Sequence, residues 1–397
     1  MSEKRRDSKN RVLRSGESQR KDGRYAYKYV DTLGKPQFVY AWKLVPTDKT
    51  PAGKREDISL REKEKEIQKD IDDGIDTIGK KMTVCQLYAK QIRHRGNVKH
   101  NTKLGRERLM RILEQDKLGG CPIDSVKLSD AKEWALRMKE KGFSYKTINN
   151  DKRSLKAAFY TAIQDDCIRK NPFDFQLSTV LDDDTEPKVP LTPAQEESFL
   201  SFVQGDTVYQ KHYDELVILL GTGLRISELC GLTDKELDFE NRVIIVNHQL
   251  LRSTKLGYYV DEPKTQNGVR QIPMNEDVYQ AFQRVLKNRK GAKPFVIDGY
   301  TNFLFLKQDG YPMTACNYDG LFRGLVKKYN NCHEEALPKV TTPHTMRHTF
   351  CTRLANAGMN PKALQYIMGH SNINMTLNYY AHATFDSAKA EMERLAA

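Results

Sequence analysis

A change of hydrophobic period near Met82 limits what this chain can fold into more than any other feature. Before it, Arg24-Tyr25-Ala26-Tyr27-Lys28-Tyr29-Val30 and Gln37-Phe38-Val39-Tyr40-Ala41-Trp42-Lys43 alternate at period two and are rich in aromatic residues, the mark of strands, with Leu33-Gly34-Lys35-Pro36 as the turn between them. Val12 to Glu17 offers a third strand, and Ser59 to Asp73 reads as a helix capped by Ser59 with Glu62 at the capping-box position. From Met82 to Pro172 the strand signal is absent. Val84 to Ile92, Thr102 to Leu113, Ser129 to Met138 and Tyr145 to Ile163 read as helices, punctuated at Asn97-Val98 and Gly119-Gly120 and closed by Asn171-Pro172.

Asp182-Asp183-Asp184-Thr185-Glu186-Pro187 reads as an acidic linker, and Thr192-Pro193-Ala194-Gln195 then opens a helix with a Thr cap, Pro at its first position and Gln at the capping-box position. The signals continue as a helix (Tyr213 to Leu220), a turn at Arg225, a strand (Arg242 to Val246), hairpin strands around Tyr258 and Val269, and helices to the end. At 397 residues the chain is long enough for two or three cores. The expected division is 1–81, 82–186 and 187–397.

Net charge is +13, and its placement says more than its size. Residues 1–50 hold 13 Lys and Arg against 6 Asp and Glu, whereas residues 51–81 balance at −1. A small sheet presenting Arg, Lys and Tyr together suits a polyanion, and DNA above all. A solvated strand face is the plainer alternative. Basic residues recur on the central helices (Arg93, Lys99, Lys103, Arg106, Lys146, Lys152, Arg153, Lys156), where a solvated helix face accounts for any one taken alone. Seven scattered cysteines, never spaced C-x-x-C, read as reduced thiols rather than a disulfide framework or a zinc site. Neither an export signal nor an apolar run of about 20 residues is present, so the expectation is a cytoplasmic protein with no membrane partner.

The chemistry lies in the C-terminal half. Cleaving a phosphodiester without metal needs a nucleophile, cations for the charge on the non-bridging oxygens, and a proton donor for the departing oxygen. Arg225 and Arg347 supply guanidinium forks that match phosphate oxygens. Lys264, just before a Thr265-Gln266-Asn267-Gly268 turn signal, supplies an ammonium for the leaving oxygen. His344 and His370 are placed to hydrogen-bond the phosphate or help deprotonate a phenol, whose reference pKa is about 10. His348 shares a helix face with His344, but no HExxH glutamate or nearby carboxylate accompanies them, so no metal is expected.

Gly223-Leu224-Arg225-Ile226-Ser227-Glu228-Leu229, Lys264 with Gln271-Ile272-Pro273, Thr342-Pro343-His344-Thr345-Met346-Arg347-His348-Thr349-Phe350 and Met368-Gly369-His370-Ser371 together resemble the boxes of the tyrosine recombinase (phage integrase) family. Among its members the chain looks most like integrases of conjugative transposons from Gram-positive bacteria. The resemblance implies a small α+β N-terminal arm-site-binding domain, an all-α core-binding domain, and a mainly α catalytic domain with a small β-sheet. It also implies a 3′-phosphotyrosine intermediate, strand exchange in a tetramer on double-stranded DNA (element ends and crossover sites), an accessory excision factor, and no cofactor. Tyr379 and Tyr380 compete for the role of nucleophile. Spacing of nine from His370 selects Tyr379, and the Thr-x-x-x-Tyr-x-His string of Thr376, Tyr380 and His382 selects Tyr380, which is the expected nucleophile here. Phe385, Ala388, Met392 and Leu395 form an apolar stripe, either packed on its own domain or docked on a neighbouring protomer. A type IB topoisomerase would use similar residues without pairing two sites, and a DNA-binding regulator on an inactive scaffold would form no covalent adduct.

The charge surplus predicts that residues 1–81 bind DNA by themselves. Deleting them should remove one class of binding site and leave cleavage at the crossover site, and the isolated fragment should show log K falling with log salt. A salt-insensitive fragment would refute this.

Overall fold

A computed structural model describes residues 5–31, 34–76, 79–96, 98–263, 266–289, 295–380 and 392–393. The chain divides into two compact units, Met1–Thr185 and Glu186–Ala397, with the seam inside the acidic segment.

In the first unit, β1 (Glu17–Gln19), β2 (Tyr25–Val30) and β3 (Pro36–Ala41) form an antiparallel sheet in that order. Helix α1 (Leu60–Asp72) closes over it, and Tyr25, Ala41, Leu44 and Leu60 form the small core. Ser59 and Glu62 make the expected capping box. The first strand is not where the alternation put it: Val12 makes only an isolated bridge to Arg6, and pairing begins at Glu17. Gly16 is the reason. It sits at φ +86, and a Cβ there would lie 2.8 Å from the Lys28 carbonyl, so the chain bends where a continuous strand was expected. Glu17, fully buried, then pairs with Arg61 of α1 at 2.8 Å. Cations lie over aromatic rings of the sheet: Arg24 is 5.5 Å from Tyr40 and 5.8 Å from Trp42, Arg20 is 5.2 Å from Tyr40, and Lys28 is 6.0 Å from Phe38.

The same unit continues with α2 (Val84–His94), α3 (His100–Glu114), α4 (Leu128–Glu140) and α5 (Tyr145–Gln164), at the positions the helical period picked out. Their core is separate from that of the sheet. Trp134 of α4 meets Phe173 edge-on at 5.7 Å among Leu87, Leu113, Leu155 and Phe159. Arg169 reaches Asp70 and Asp73, and the Asp76 amide donates to the Asp166 carbonyl at 2.7 Å, tying the two cores together. The unit thus has one core on each side of residue 81.

In the second unit, α6 (Pro193–Gly205), α7 (Tyr213–Thr222) and α8 (Ile226–Gly231) precede β4 (Leu237–Asp238), β5 (Val243–Val246), β6 (Gln249–Ser253), β7 (Gly257–Asp261) and β8 (Arg270–Pro273). Helices α9 (Glu276–Asn288), α10 (Ala315–Cys332), α11 (Pro343–Asn356), α12 (Pro361–Met368) and α13 (Asn374–Leu377) follow. Strands order as β4-β5-β8, with β6-β7 a separate hairpin. This corrects the expected pairing of strands around Tyr258 and Val269: Tyr258 pairs with Arg252 on β6, and β8 returns to β5. Gln266–Gly268 is a 3₁₀ turn rather than a two-residue hairpin loop, because the β8 backbone is already committed to β5. Phe199, Leu219, Phe282, Tyr318, Phe322 and Met346 fill the core beneath the site. Lys264, His382 and, of the tail stripe, Phe385, Ala388 and Leu395 lie outside the described residues.

Trp134 has no exposed surface, so Trp134→Ala leaves a cavity that the four helices cannot close. Chemical denaturation should show the first unit destabilised by about 3–5 kcal/mol.

Candidate active site

Helix α7 ends at Gly223, which takes the left-handed conformation at φ 62 and turns the chain into α8. Arg225 caps α8, its amide donating to Glu228 Oε2 at 2.8 Å and its Nη1 to Oε1 at 2.6 Å. Arg225 Nη2 donates to the Gly369 carbonyl at 3.0 Å. Glu228 is buried and also receives both terminal nitrogens of Arg270, at 3.1 and 2.9 Å. Burial alone would raise its pKa. The Arg270 hydrogen bonds and charge, with Arg225 and Arg347 behind them, overcome that and hold it at about 2.

Helix α11 starts at Pro343 after the Thr342 cap, which turns Arg347 inward one turn later. Arg347 Nη1 donates to the Gly223 carbonyl at 2.6 Å and Nη2 to the Met368 carbonyl. Its side chain is almost wholly enclosed, and burial, then the charge of Arg225, lower its pKa to about 9. The guanidinium stays protonated at neutral pH, in surroundings short of negative charge.

Helix α12 ends at Gly369, again left-handed at φ 60, and a Cβ there would sit 2.9 Å from the Asn267 carbonyl and 3.1 Å from Arg270 Nη1. Glycine is therefore required twice over, and the turn delivers His370 into the site. His370 is buried, with Nδ1 3.0 Å from Thr376 Oγ1. Burial, then Arg347 and Arg225, lower its pKa to about 4. His344 lies at the surface of the site. Desolvation, then Lys188 and Arg347, bring it to about 4 as well, and burial lowers His348. All these rings are neutral at physiological pH.

The two tyrosines occupy a turn after α13 and face different ways. Tyr379 lies edge-on to His348, with ring centroids 4.9 Å apart, and nearly parallel to His370 at 6.4 Å. It lines a cavity of about 570 Å³ with Lys188, Pro190, His348, Thr352 and Asn378. Burial, then Cys351, raises its pKa, and Arg347 opposes them. Tyr380, the residue selected by the Thr-x-x-x-Tyr-x-His string, instead donates its hydroxyl to the Met359 carbonyl. Its pKa is raised by burial and by Cys351.

Arg225, Arg347, His344 and His370 therefore come together, drawn from the turn before α8, from α11 and from the turn after α12. Glu228 and Arg270 had no role assigned from sequence. Both left a signal: Glu228 stands at the capping-box position after Arg225, and Arg270 occupies the same inward register of β8 as Ile272, where a cation is out of place unless paired. Among the described residues no group of three His, Cys, Asp or Glu side chains could hold a metal ion, and no helix is long and apolar enough to cross a membrane.

Residues 190–387 match the phage integrase family, and residues 1–71 match the DNA binding domain of Tn916 integrase. The transposase from transposon Tn916 of Enterococcus faecalis is 66% identical over 395 residues, covering 100% of this chain and 97% of the relative. Two solved structures of the Tn1549 transposon integrase (residues 82–397) are each 89% identical to this chain. One, an R225K variant with circular intermediate DNA, covers 79% of this chain and 99% of its own at a TM-score of 0.76. The other, a Y379F variant with transposon right end DNA, covers 80% and 100% at 0.75. With sequence matches at both ends and the arginine and histidine boxes folded into one cluster, the chain belongs to the phage integrase family of tyrosine recombinases, enzymes that cleave and rejoin DNA strands.

Proposed function

We propose that this recombinase excises and integrates a conjugative transposon, and that Tyr379, rather than Tyr380, is the nucleophile. The observation that carries the assignment is the opposite placement of the two phenols. Tyr379 stands against His348 and His370 within the field of Arg347, while the Tyr380 hydroxyl is spent on a backbone carbonyl. The Y379F variant of the Tn1549 integrase, bound to transposon right end DNA, accords with this reading.

The Tyr379 oxygen attacks phosphorus, forming the 3′-phosphotyrosyl bond as the bond to the 5′ oxygen breaks. Arg225 and Arg347 each spend part of their fork on protein acceptors and direct the remaining N–H donors at the non-bridging oxygens, whose charge grows in the transition state. A raised phenol pKa makes unaided attack slow, and the neutral His370 is an acceptor for its proton. Lys264 returns a proton to the departing 5′ oxygen. A 5′ hydroxyl from a second duplex then attacks the phosphotyrosine in reverse, so the phosphodiester energy is conserved and neither ATP nor a cofactor is needed. Pairing two sites for that exchange calls for a tetramer on DNA, with an accessory excision factor setting direction. The N-terminal module holds arm sites, and the reaction takes place in the bacterial cytoplasm, on the nucleoid.

A suicide substrate that loses its 5′ fragment after cleavage separates the phenols. Tyr379→Phe should bind DNA normally and give no covalent adduct, while Tyr380→Phe should still form it; the opposite pattern would move the nucleophile to Tyr380. Recombination of two sites, rather than relaxation of one supercoiled circle, is the expected product.

The neutral histidines also set a pH dependence. His344 and His370 have folded values of about 4 against 6.5 for the free side chain. Above pH 6.5 neither state binds these protons; between 6.5 and 4 only the unfolded chain does, so their effect is to lower stability as pH falls through that window, and it levels off below it. The unfolding midpoint of the DNA-free protein should drop more steeply from pH 7 to 4.5 than that of a His344→Gln, His370→Gln double variant. Parallel curves would show that the rings are not held neutral.

A further inference from the structure

We propose that Arg270 is a positioning residue for strand cleavage: one buried guanidinium that fixes the spacing of three catalytic segments. Its side chain has no exposed surface. Nη1 and Nη2 grip Glu228, the carboxylate that orients Arg225. Nε donates at 2.6 Å to the Ile367 carbonyl, at the end of the helix that delivers His370. Nη1 also donates at 3.1 Å to the Gly268 carbonyl, four residues beyond Lys264. The neighbouring Asn267 amide reaches the His370 carbonyl at 3.3 Å, so the Gln266–Gly268 turn and the histidine turn meet at this same point. Gly369 leaves the space that the guanidinium fills.

Stability alone does not account for such a group. A buried ion pair gains little over an apolar pair of the same volume, because desolvation consumes most of the attraction. A planar fork with donors in fixed directions does something an apolar side chain cannot, which is to set the angle between three backbone segments far apart in sequence. Displacing any of them by about 1 Å moves a clamp donor off the non-bridging oxygens and costs on the order of 100-fold in rate. Lysine at this position keeps the charge beside Glu228 but cannot reach both carbonyls at once.

The inference rests on the phosphotyrosine chemistry proposed above, and its test is built to fail separately from it. Full-length Arg270→Lys and Arg270→Met are compared with wild type in single-turnover cleavage of two duplexes, one with the natural scissile phosphate and one with a neutral methylphosphonate there. The methylphosphonate transition state carries one negative charge fewer and depends less on a well-aimed arginine clamp. On phosphate both variants should be slower by about 100-fold, the cost of losing one aimed donor, with DNA affinity unchanged. On methylphosphonate the loss should shrink to within about threefold. A partly unfolded variant loses both reactions in equal proportion. Equal losses, or cleavage of phosphate by Arg270→Lys at the wild-type rate, would overturn the positioning role. The readout is covalent adduct formed by whichever tyrosine attacks, so an adduct persisting in Tyr379→Phe would refute the nucleophile assignment and leave the Arg270 comparison intact.

Discussion

The arginine cluster of the second unit is arranged around one buried carboxylate. Among the described residues Glu228 is the anion that pairs with both Arg225 and Arg270, with Arg347 nearby, and it is held ionised against its own desolvation. Removing it would leave three guanidiniums facing one another in a medium where charge is poorly screened, a situation that costs several kcal/mol. Keeping it leaves an excess of positive charge, felt most by Arg347, whose pKa is lowered by burial and by Arg225. In the proposed reaction a DNA phosphate supplies the missing negative charge. On that reading the excess of positive charge in the DNA-free site is relieved by substrate, most of all where the transition state concentrates charge on phosphorus oxygens.

Backbone carbonyls do the rest of the holding. Helices α7 and α12 both end in left-handed glycines, so the last carbonyls of each helix are left without partners inside it. Arg347 takes those of Gly223 and Met368, Arg225 that of Gly369, and Arg270 that of Ile367. The partial negative charge of a helix C-terminus favours a cation there. The arginines thereby complete two helix ends while the helix ends aim the arginines, which explains how flexible side chains come to stand in fixed directions before DNA arrives.

Different parts of the chain are unevenly legible in its sequence, and the pattern is physical. Thr192, Pro193 and Gln195 announced α6 because capping is local chemistry. The helices of the first unit were legible because each buries one face of a 3.6-residue period. Strand partners were not legible, since the alternation of Tyr258 or Val269 says which face is buried and not which strand lies alongside. Gly16 shows the same limit within a single segment: alternation continued through it, and only the nearby Lys28 carbonyl made a bend obligatory.

The sequence by itself determined the chemistry: two guanidiniums, two imidazoles, an ammonium and a phenol in an order and spacing that suit metal-free phosphoryl transfer. Residue types fix what bonds can be made, and the loop glycines at 223 and 369 fix where the chain must turn. Only the tertiary structure decided which side chains share the site. Arg270 and Glu228 are 42 residues apart and meet only because the fold brings the side chain of β8 to that of α8. Two spacing rules point to different members of the adjacent tyrosine pair, because the direction of each ring depends on what it packs against and not on its distance along the chain. The Met359 carbonyl draws one hydroxyl away, and His348 and His370 receive the other ring.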